Sequence, residues 1–236
     1  MTVQVLLATN NVKKLGEMRR ILAEQGLDIE VKSLDDFPAY PEPVETEWTF
    51  EGNALLKARA GTEHTGLPTL ADDSGLCVDA LNQMPGVRSS RWAGPAHEDV
   101  ANLELVLRQI DDVPKNRRTA RFVSVMALVL PDGREFTTRG EMPGRIALAS
   151  KGARGFGYDP IFVAFEQPER PGCDRPRTNA ELTPEEKDAI SHRGRAVRAM
   201  VPILLEAFGD DARLVLDEPD DDALDPAQTE AIARHA

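Results

Sequence analysis

The chain has 236 residues, 41% of them hydrophobic and 29% charged, which is enough apolar material for one α/β domain with a real core. Its formal net charge is −12 at pH 7, and −7 of that falls after Phe208, so the body is only mildly acidic and lacks the basic face a nucleic-acid binder needs. Two distant cysteines, Cys77 and Cys173, and four scattered histidines argue against a disulfide framework or a zinc site. No apolar run approaches a membrane span, and the start of the chain lacks the basic-then-apolar pattern of a leader, so the expected setting is the cytoplasm, with no membrane partner.

Residues 3–8 read as a buried strand that Thr9-Asn10-Asn11 breaks. Val12, Leu15, Met18 and Leu22 recur at helical spacing and predict a helix over 12–25, with Asn11 as N-cap and Gly26 as its end. Strand, polar turn and helix make an α/β opening, and the helix N-terminus suits a phosphate. Lys14 in the first turn is unfavourable there unless an anion sits beside it. GxxxxGK[ST] is absent, and a simple turn with a solvated lysine is the competing reading. A second strand is expected over 29–34, then a polar, proline-containing loop over 35–47 that carries Glu45. A second helix over 49–62 buries Ala54, Leu55 and Ala58 and sets Asn53 and Lys57 one turn apart on one face.

The densest stretch is Ala71-Asp72-Asp73-Ser74-Gly75-Leu76, placed where a strand should give way to a turn. Adjacent strand side chains point to opposite faces, so Asp72 and Asp73 should do different jobs. One can hold local structure while the other faces a cleft as a cation ligand or general base. An Asx-type turn is the plain alternative. Beyond it come a loop over 85–94 with two arginines, an amphipathic helix over 98–110, and the strongest strand signal, 119–130. Pro131-Asp132-Gly133 turns that strand back into an antiparallel partner over 135–141, which predicts a mixed sheet. In Gly155-Phe156-Gly157-Tyr158-Asp159-Pro160-Ile161-Phe162 the glycines allow close backbone approach to a ligand and Phe156 can stack on a planar ring. Asp159 is expected to be extended because a proline follows it. A tight turn with core aromatics explains the same residues. Thr183-Pro184-Glu185-Glu186 opens a helix, Ser191-His192-Arg193 follows, and 196–208 continues as an apolar-striped helix. Residues 209–236 are acidic and proline-interrupted, and are expected to form a mobile tail.

Together, Thr9-Asn10-Asn11-Val12-Lys13-Lys14, the stretch 71–81, Gly155-Phe156-Gly157-Tyr158-Asp159-Pro160 and Ser191-His192-Arg193 resemble, in order and spacing, the inosine triphosphate pyrophosphatase family. Asn53-Ala54-x-x-Lys57-Ala58 and Pro85-Gly86-Val87 extend the resemblance, which covers about residues 3–208. It implies an α/β fold with an elongated, twisted mixed sheet flanked by helices, two lobes and a central nucleotide cleft, all within 1–208, leaving 209–236 as an extra tail. It also implies a homodimer that uses Mg²⁺ to hydrolyse purine nucleoside triphosphates (dITP, ITP, XTP) to the monophosphate and pyrophosphate.

Position by position, the resemblance makes Thr9, Asn11, Lys14 and Lys57 phosphate-binding residues. Asp73 becomes the general base and, with Glu45, a metal ligand; Ser74 contacts the substrate beside it. Phe156, Gly157, Tyr158, Asp159, Lys187, His192 and Arg193 form the base and nucleotide pocket. The chemistry is consistent, since a triphosphate needs several cations to offset its charge. His192 and Arg193 can donate to a 6-oxo group, whereas adenine's 6-amino group would leave those donors unpaired. The chain departs from the family pattern at Asn10, where glycine is common, and at Asn82-Gln83-Met84, which replaces a glycine-bearing turn. The 167–177 loop is longer, and the acidic tail is additional. Two rivals stand beside this reading: a non-catalytic nucleotide-binding protein on the same scaffold, and a related pyrophosphatase for pyrimidine or modified nucleotides.

Overall fold

The computed structural model describes residues 3–41, 43–169, 172 and 175–209. Cys173 and the acidic segment 210–236, read from sequence as a mobile tail, lie outside the described residues.

The apolar strand β1 (Val3–Leu7) sits between two parallel neighbours, β2 (Ile29–Lys32) and β3 (Thr69–Val78). Parallel pairs require crossovers, and these are α1 (Val12–Ala23) and α2 (Phe50–Thr65). Asn11 caps α1, its side chain accepting from the Lys13 and Lys14 amides at 3.0 and 3.2 Å. Thr49 caps α2 through the Gly52 amide at 3.1 Å, and Gly66 ends it in the left-handed region. The remaining strands are antiparallel: β3 with β4 (Thr119–Val129), β4 with β5 (Glu135–Ile146), and β5 with β6 (Phe162–Ala164). The sheet order is β2-β1-β3-β4-β5-β6, mixed as the Pro131–Gly133 turn predicts. Three further helices follow β3 and β6: α3 (Asp99–Gln109), α4 (Pro184–Ile190) and α5 (His192–Phe208).

Two local expectations are corrected. Residues 71–76 do not end a strand; β3 runs straight through them, because β4 pairs with it continuously from Thr69↔Val129 to Val78↔Ala120. Asp159 is not extended; it opens a 3₁₀ turn, Asp159–Ile161, since its amide donates to the Phe156 carbonyl at 3.2 Å and folds the segment back. The turn at Asn10 forms without a positive φ. By contrast, Asn82 and Gln83, which stand in for a glycine turn, both adopt positive φ, at 50° and 70°.

The alternation along β3 divides the core. Leu70, Asp72, Ser74, Leu76 and Val78 share one face. Leu70 packs with Met126, Leu128, α1 and α5. Leu76 and Val78 pack with Phe122, Met142, Phe162 and α3. Between these two cores the same face carries only polar groups, Asp72 and Ser74 on β3 and Ser124 opposite Ser74 on β4. The two lobes implied by the resemblance are thus two cores on one continuous sheet, parted by a polar step. The other face, with Ala71, Val123, Val125 and Ala127, is covered by Phe50, Ala54 and Ala58 of α2.

Helix α5 begins on this polar step. Ser191 caps it, accepting from the Gly194 amide at 2.9 Å. Thr138 on β5 donates to the Ala196 carbonyl at 2.8 Å. Gly140, the register partner of Ser124, has no side chain to hold the helix off: a Cβ there would run into the His192 carbonyl and the Ala196 amide nitrogen. Both obstacles are backbone and cannot swing aside. Gly140→Ala is therefore expected to destabilise the fold by about 1–3 kcal/mol, read as a lower urea midpoint, with α5 displaced from the sheet.

Candidate active site

Strand β1 covers the edge of β3 only as far as Leu70, where the Ala8 amide makes its last contact, to the Leu70 carbonyl at 2.8 Å. From Leu76 onward the edge is covered again. The Leu76 amide donates to Ser89 Oγ at 2.8 Å, and the Val78 amide to the Met84 carbonyl at 3.1 Å. Residues 71–75 lie in the gap between these two covers. A cavity of about 840 Å³ opens on this gap, and residues from both faces of β3 line it: Asp73 and Gly75 from one, Ser74 from the other.

On the α2 face, Asp73 is buried against two α2 side chains. Lys57 Nζ lies 3.4 Å from Oδ1, and Asn53 Nδ2 lies 3.3 Å from Oδ2. Lys57 also donates to Glu45 Oε1 at 3.1 Å, and Arg91 holds the other oxygen of Glu45 at 2.7 Å. Burial pushes the Asp73 carboxyl up to about 6; Lys57 resists this while nearby Glu45 adds to it. Burial would also raise Glu45, but Lys57 and Arg91 hold it below the ordinary carboxylate value. For Lys57 the three carboxylates Asp73, Asp72 and Glu45 outweigh burial and raise its ammonium pKa.

On the other face, Asp72 is fully enclosed by cations. Lys14 contacts it at 3.0 Å and Arg193 Nε at 3.4 Å. Despite burial, these two charges hold its carboxyl far below the usual range. The anion that Lys14 calls for at the start of α1 is thus Asp72 in the free protein. Arg193, 1% exposed, also pairs with Glu17 of α1 and donates to Ser74 Oγ at 3.0 Å. The adjacent aspartates take different roles, as strand alternation predicts.

The far end of the cavity is built by 155–159. Gly155 and Gly157 have φ of +74° and +58°, conformations that side chains rarely adopt. The Asp159 carboxylate gathers the turn, accepting from the Phe156 amide at 2.9 Å, Lys187 at 2.7 Å and Asn179 at 3.3 Å. Tyr158 donates its hydroxyl to the Ser89 carbonyl at 2.7 Å, and the Gly157 amide donates to Asp99 at 2.9 Å. These two bonds tie the loop to the segment that covers β3 and to the start of α3. The Phe156 ring carries Lys187 at 4.8 Å and Arg193 at 5.8 Å. His192 stacks on Phe122 at 4.8 Å and 12°. Burial, helped by Arg193 and Lys187, pushes its pKa well below the ordinary value, so the ring is neutral.

Every residue nominated from sequence lines this one cavity: Thr9, Asn11, Lys14, Glu45, Lys57, Asp73, Ser74, Phe156, Gly157, Tyr158, Asp159, Lys187, His192 and Arg193. What the sequence reading missed is which cations Asp72 pairs with, and the partners Glu17, Arg91, Asn179 and Ser89 that hold these groups. Arg91 stands in a loop whose two arginines are visible, but its pairing with Glu45 spans 46 residues and leaves no local pattern. The four cations assigned to phosphate and nucleotide, Lys14, Lys57, Lys187 and Arg193, are each paired with a carboxylate.

Among the described residues no group of three or more His, Cys, Asp or Glu side chains is gathered to hold a metal. Magnesium needs only one or two carboxylates, keeping waters and substrate phosphate oxygens for the rest of its shell. Glu45 and Asp73 meet that demand: they converge on the same Lys57 ammonium and both line the cavity.

Residues 5–203 match the model of the Ham1 family. A dITP/XTP pyrophosphatase of Corynebacterium efficiens is 55% identical over 88% of this chain and all of its own length. One from Streptomyces coelicolor is 50% identical over 87% of this chain and 99% of its own. Among solved structures, a nucleoside-triphosphatase / dITP/XTP pyrophosphatase of Mycobacterium abscessus is 53% identical, with a TM-score of 0.67 over 85% of this chain and all of that one. A HAM1 protein of Coxiella burnetii, 40% identical, superposes with a TM-score of 0.75 over 86% of this chain and 99% of its own.

The Asp73 environment makes a titration visible. The folded, metal-free protein holds the Asp73 proton up to about pH 6, whereas the ordinary value is 3.8. Between those two values the native state binds the extra proton, so this group's contribution to stability falls as pH rises. Carboxyl-carbon NMR of the metal-free protein should show one aspartate titrating near pH 6 and should lose it in Asp73→Asn; a normal titration for Asp73 would refute the assignment.

Proposed function

The chain belongs to the Ham1 family, and from that premise we propose that it hydrolyses dITP, ITP and XTP to the nucleoside monophosphate and pyrophosphate with Mg²⁺. The supporting observation is that one cavity is lined both by the Glu45–Lys57–Asp73 cluster and by Phe156, Asp159 and His192. A nucleotide has the same two-part chemistry, a polyanion at one end and a planar base at the other.

In this reading the Lys14 and Lys57 ammonium groups, with Thr9 and Asn11 beside them in the cavity wall, take the phosphates. Arg193, fixed by Glu17 and Asp72, holds its guanidinium between the phosphate and base ends. Asp73, ionised, accepts the proton of the attacking water. Asn53 and Lys57 keep it pointed at the cavity. Glu45 and Asp73 would hold the magnesium, which when bound offsets phosphate charge and acidifies a coordinated water. Phe156 offers a face to the purine, and neutral His192 offers a polar atom to its edge. The family resemblance also supports a homodimer acting in the cytoplasm; no helix among the described residues is long and apolar enough to cross a membrane.

The test is product analysis with dITP, XTP, dGTP and dATP, with and without Mg²⁺. Metal-dependent release of pyrophosphate from dITP and XTP, abolished by chelation, is expected, with much slower release from dGTP and dATP. Orthophosphate as the product would replace this reading with a stepwise phosphatase. Tight binding without turnover would replace it with a nucleotide-binding protein. Asp73→Asn is expected to lower kcat by roughly 10²–10⁴-fold while nucleotide still binds, and retained turnover would remove Asp73 as the base.

A further inference from the structure

Two sealed polar atoms under the cavity take no part in the chemistry above. Ser124 Oγ and His192 Nδ1 each lack a hydrogen-bond partner among the described residues, and the two residues are only 0% and 5% exposed. They lie on facing surfaces. Phe122, Ser124 and Met126 share one face of β4. The Phe122 ring stacks on His192, and Met126 packs with Ala196, Val197 and Met200. Ser124, between them, therefore lies under the first turn of α5. Its register partner on β5, Gly140, has the His192 carbonyl directly against it. Its register partner on β3, Ser74, accepts from Arg193.

We propose that Ser124 is a positioning residue for His192: its hydroxyl, linked to Nδ1 through one shared buried water, keeps the imidazole proton on Nε2 and so presents a donor to the substrate base. The direction of the link follows from counting protons. Serine has one donor hydrogen and two lone pairs. Were Ser124 the acceptor from Nδ1–H, its own hydrogen would be a buried donor with nowhere to go. With Ser124 donating to the bridging water and the water donating to Nδ1, one hydrogen is left over; every arrangement with Nδ1 protonated leaves two, and buried donors without acceptors are rarely tolerated. A bridging water passes on the same polarity. Since the ring is neutral, the remaining choice is which nitrogen carries the proton, and the partner of one nitrogen decides the state of the other. His192 lines the cavity while Nδ1 is sealed away, so Nε2 is the atom that meets a ligand. An Nε2–H donor matches a 6-oxo group and is left unpaired by a 6-amino group. This last step rests on the nucleotide-hydrolase reading; the tautomer itself does not.

The experiment is ¹⁵N–¹H correlation across the imidazole ring of the full-length, metal-free protein, with the His192 signals assigned by their loss in His192→Gln. Wild type is expected to show the Nε2–H tautomer, and Ser124→Ala to shift it toward Nδ1–H. The same variant should lower the kcat/KM preference for ITP over ATP by roughly five- to tenfold, the worth of one neutral hydrogen bond. Ser124→Ala only removes atoms, so it needs no extra space in the core. An unchanged tautomer in Ser124→Ala overturns the proposal. A shifted tautomer with an unchanged preference removes the role in specificity. Should wild type hydrolyse no nucleoside triphosphate, the hydrolase reading fails, and the spectra of the free protein still decide whether Ser124 sets the tautomer.

Discussion

Strand β1 stops at Leu7 while its neighbour β3 runs on to Val78, and the uncovered stretch of β3 edge is the constraint on which the site depends. A strand paired on both sides sends its side chains into two separate spaces. At an open edge the two faces meet, so Asp73 and Ser74 reach one cavity from opposite sides of the sheet. The opening is bounded on one side by Ala8 and on the other by Ser89, which satisfies the Leu76 amide. A longer β1, or a segment over 85–89 shifted toward it, would pair the edge and close the cavity.

The same opening explains the charge arrangement. Two acidic residues side by side in a core strand are costly unless each is paired. Asp72 is neutralised by Lys14 and Arg193, drawn from α1 and α5, and thereby links the two helices that pack on its face. Loss of one partner from a buried pair of this kind typically costs about 3–5 kcal/mol, because the remaining charge is stranded. Asp73 has weaker neighbours, Lys57 at 3.4 Å shared with Glu45, and keeps a raised pKa. One carboxylate is therefore committed to structure and the other left available for chemistry.

Helix α5 joins the two lobes. Its first turn rests on the polar step between the cores, admitted by Gly140, and carries His192 toward Phe122 and Arg193 toward Asp72. Its later turns, through Ala196, Val197, Met200 and Leu204, belong to the first core. A displacement of α5 would thus be felt at Phe156 and at the Asp72–Lys14 pair together, which couples these two parts of the cavity wall.

Much of this was legible in the chain itself. The apolar runs, the cap at Asn11, the Thr183-Pro184 helix start, the Pro131–Gly133 turn and the glycines of 155–157 announce strands, helices and turns because each acts on its own few neighbours. The opposite duties of Asp72 and Asp73 follow from the two-residue period of a strand alone. Family resemblance nominated residues scattered over nearly two hundred positions, and they meet in one cavity. Sequence reading placed 71–76 at a turn because Asp, Ser and Gly favour turns; ten paired positions on β4 outweighed that preference, a cooperative gain no short window contains. It expected Asp159 to be extended, and missed the carboxylate's three donors that fold the segment back. Which cation faces which carboxylate, how far β1 covers β3, and which buried atoms lack partners were decided only by the tertiary structure, because each depends on distances between residues far apart in the chain.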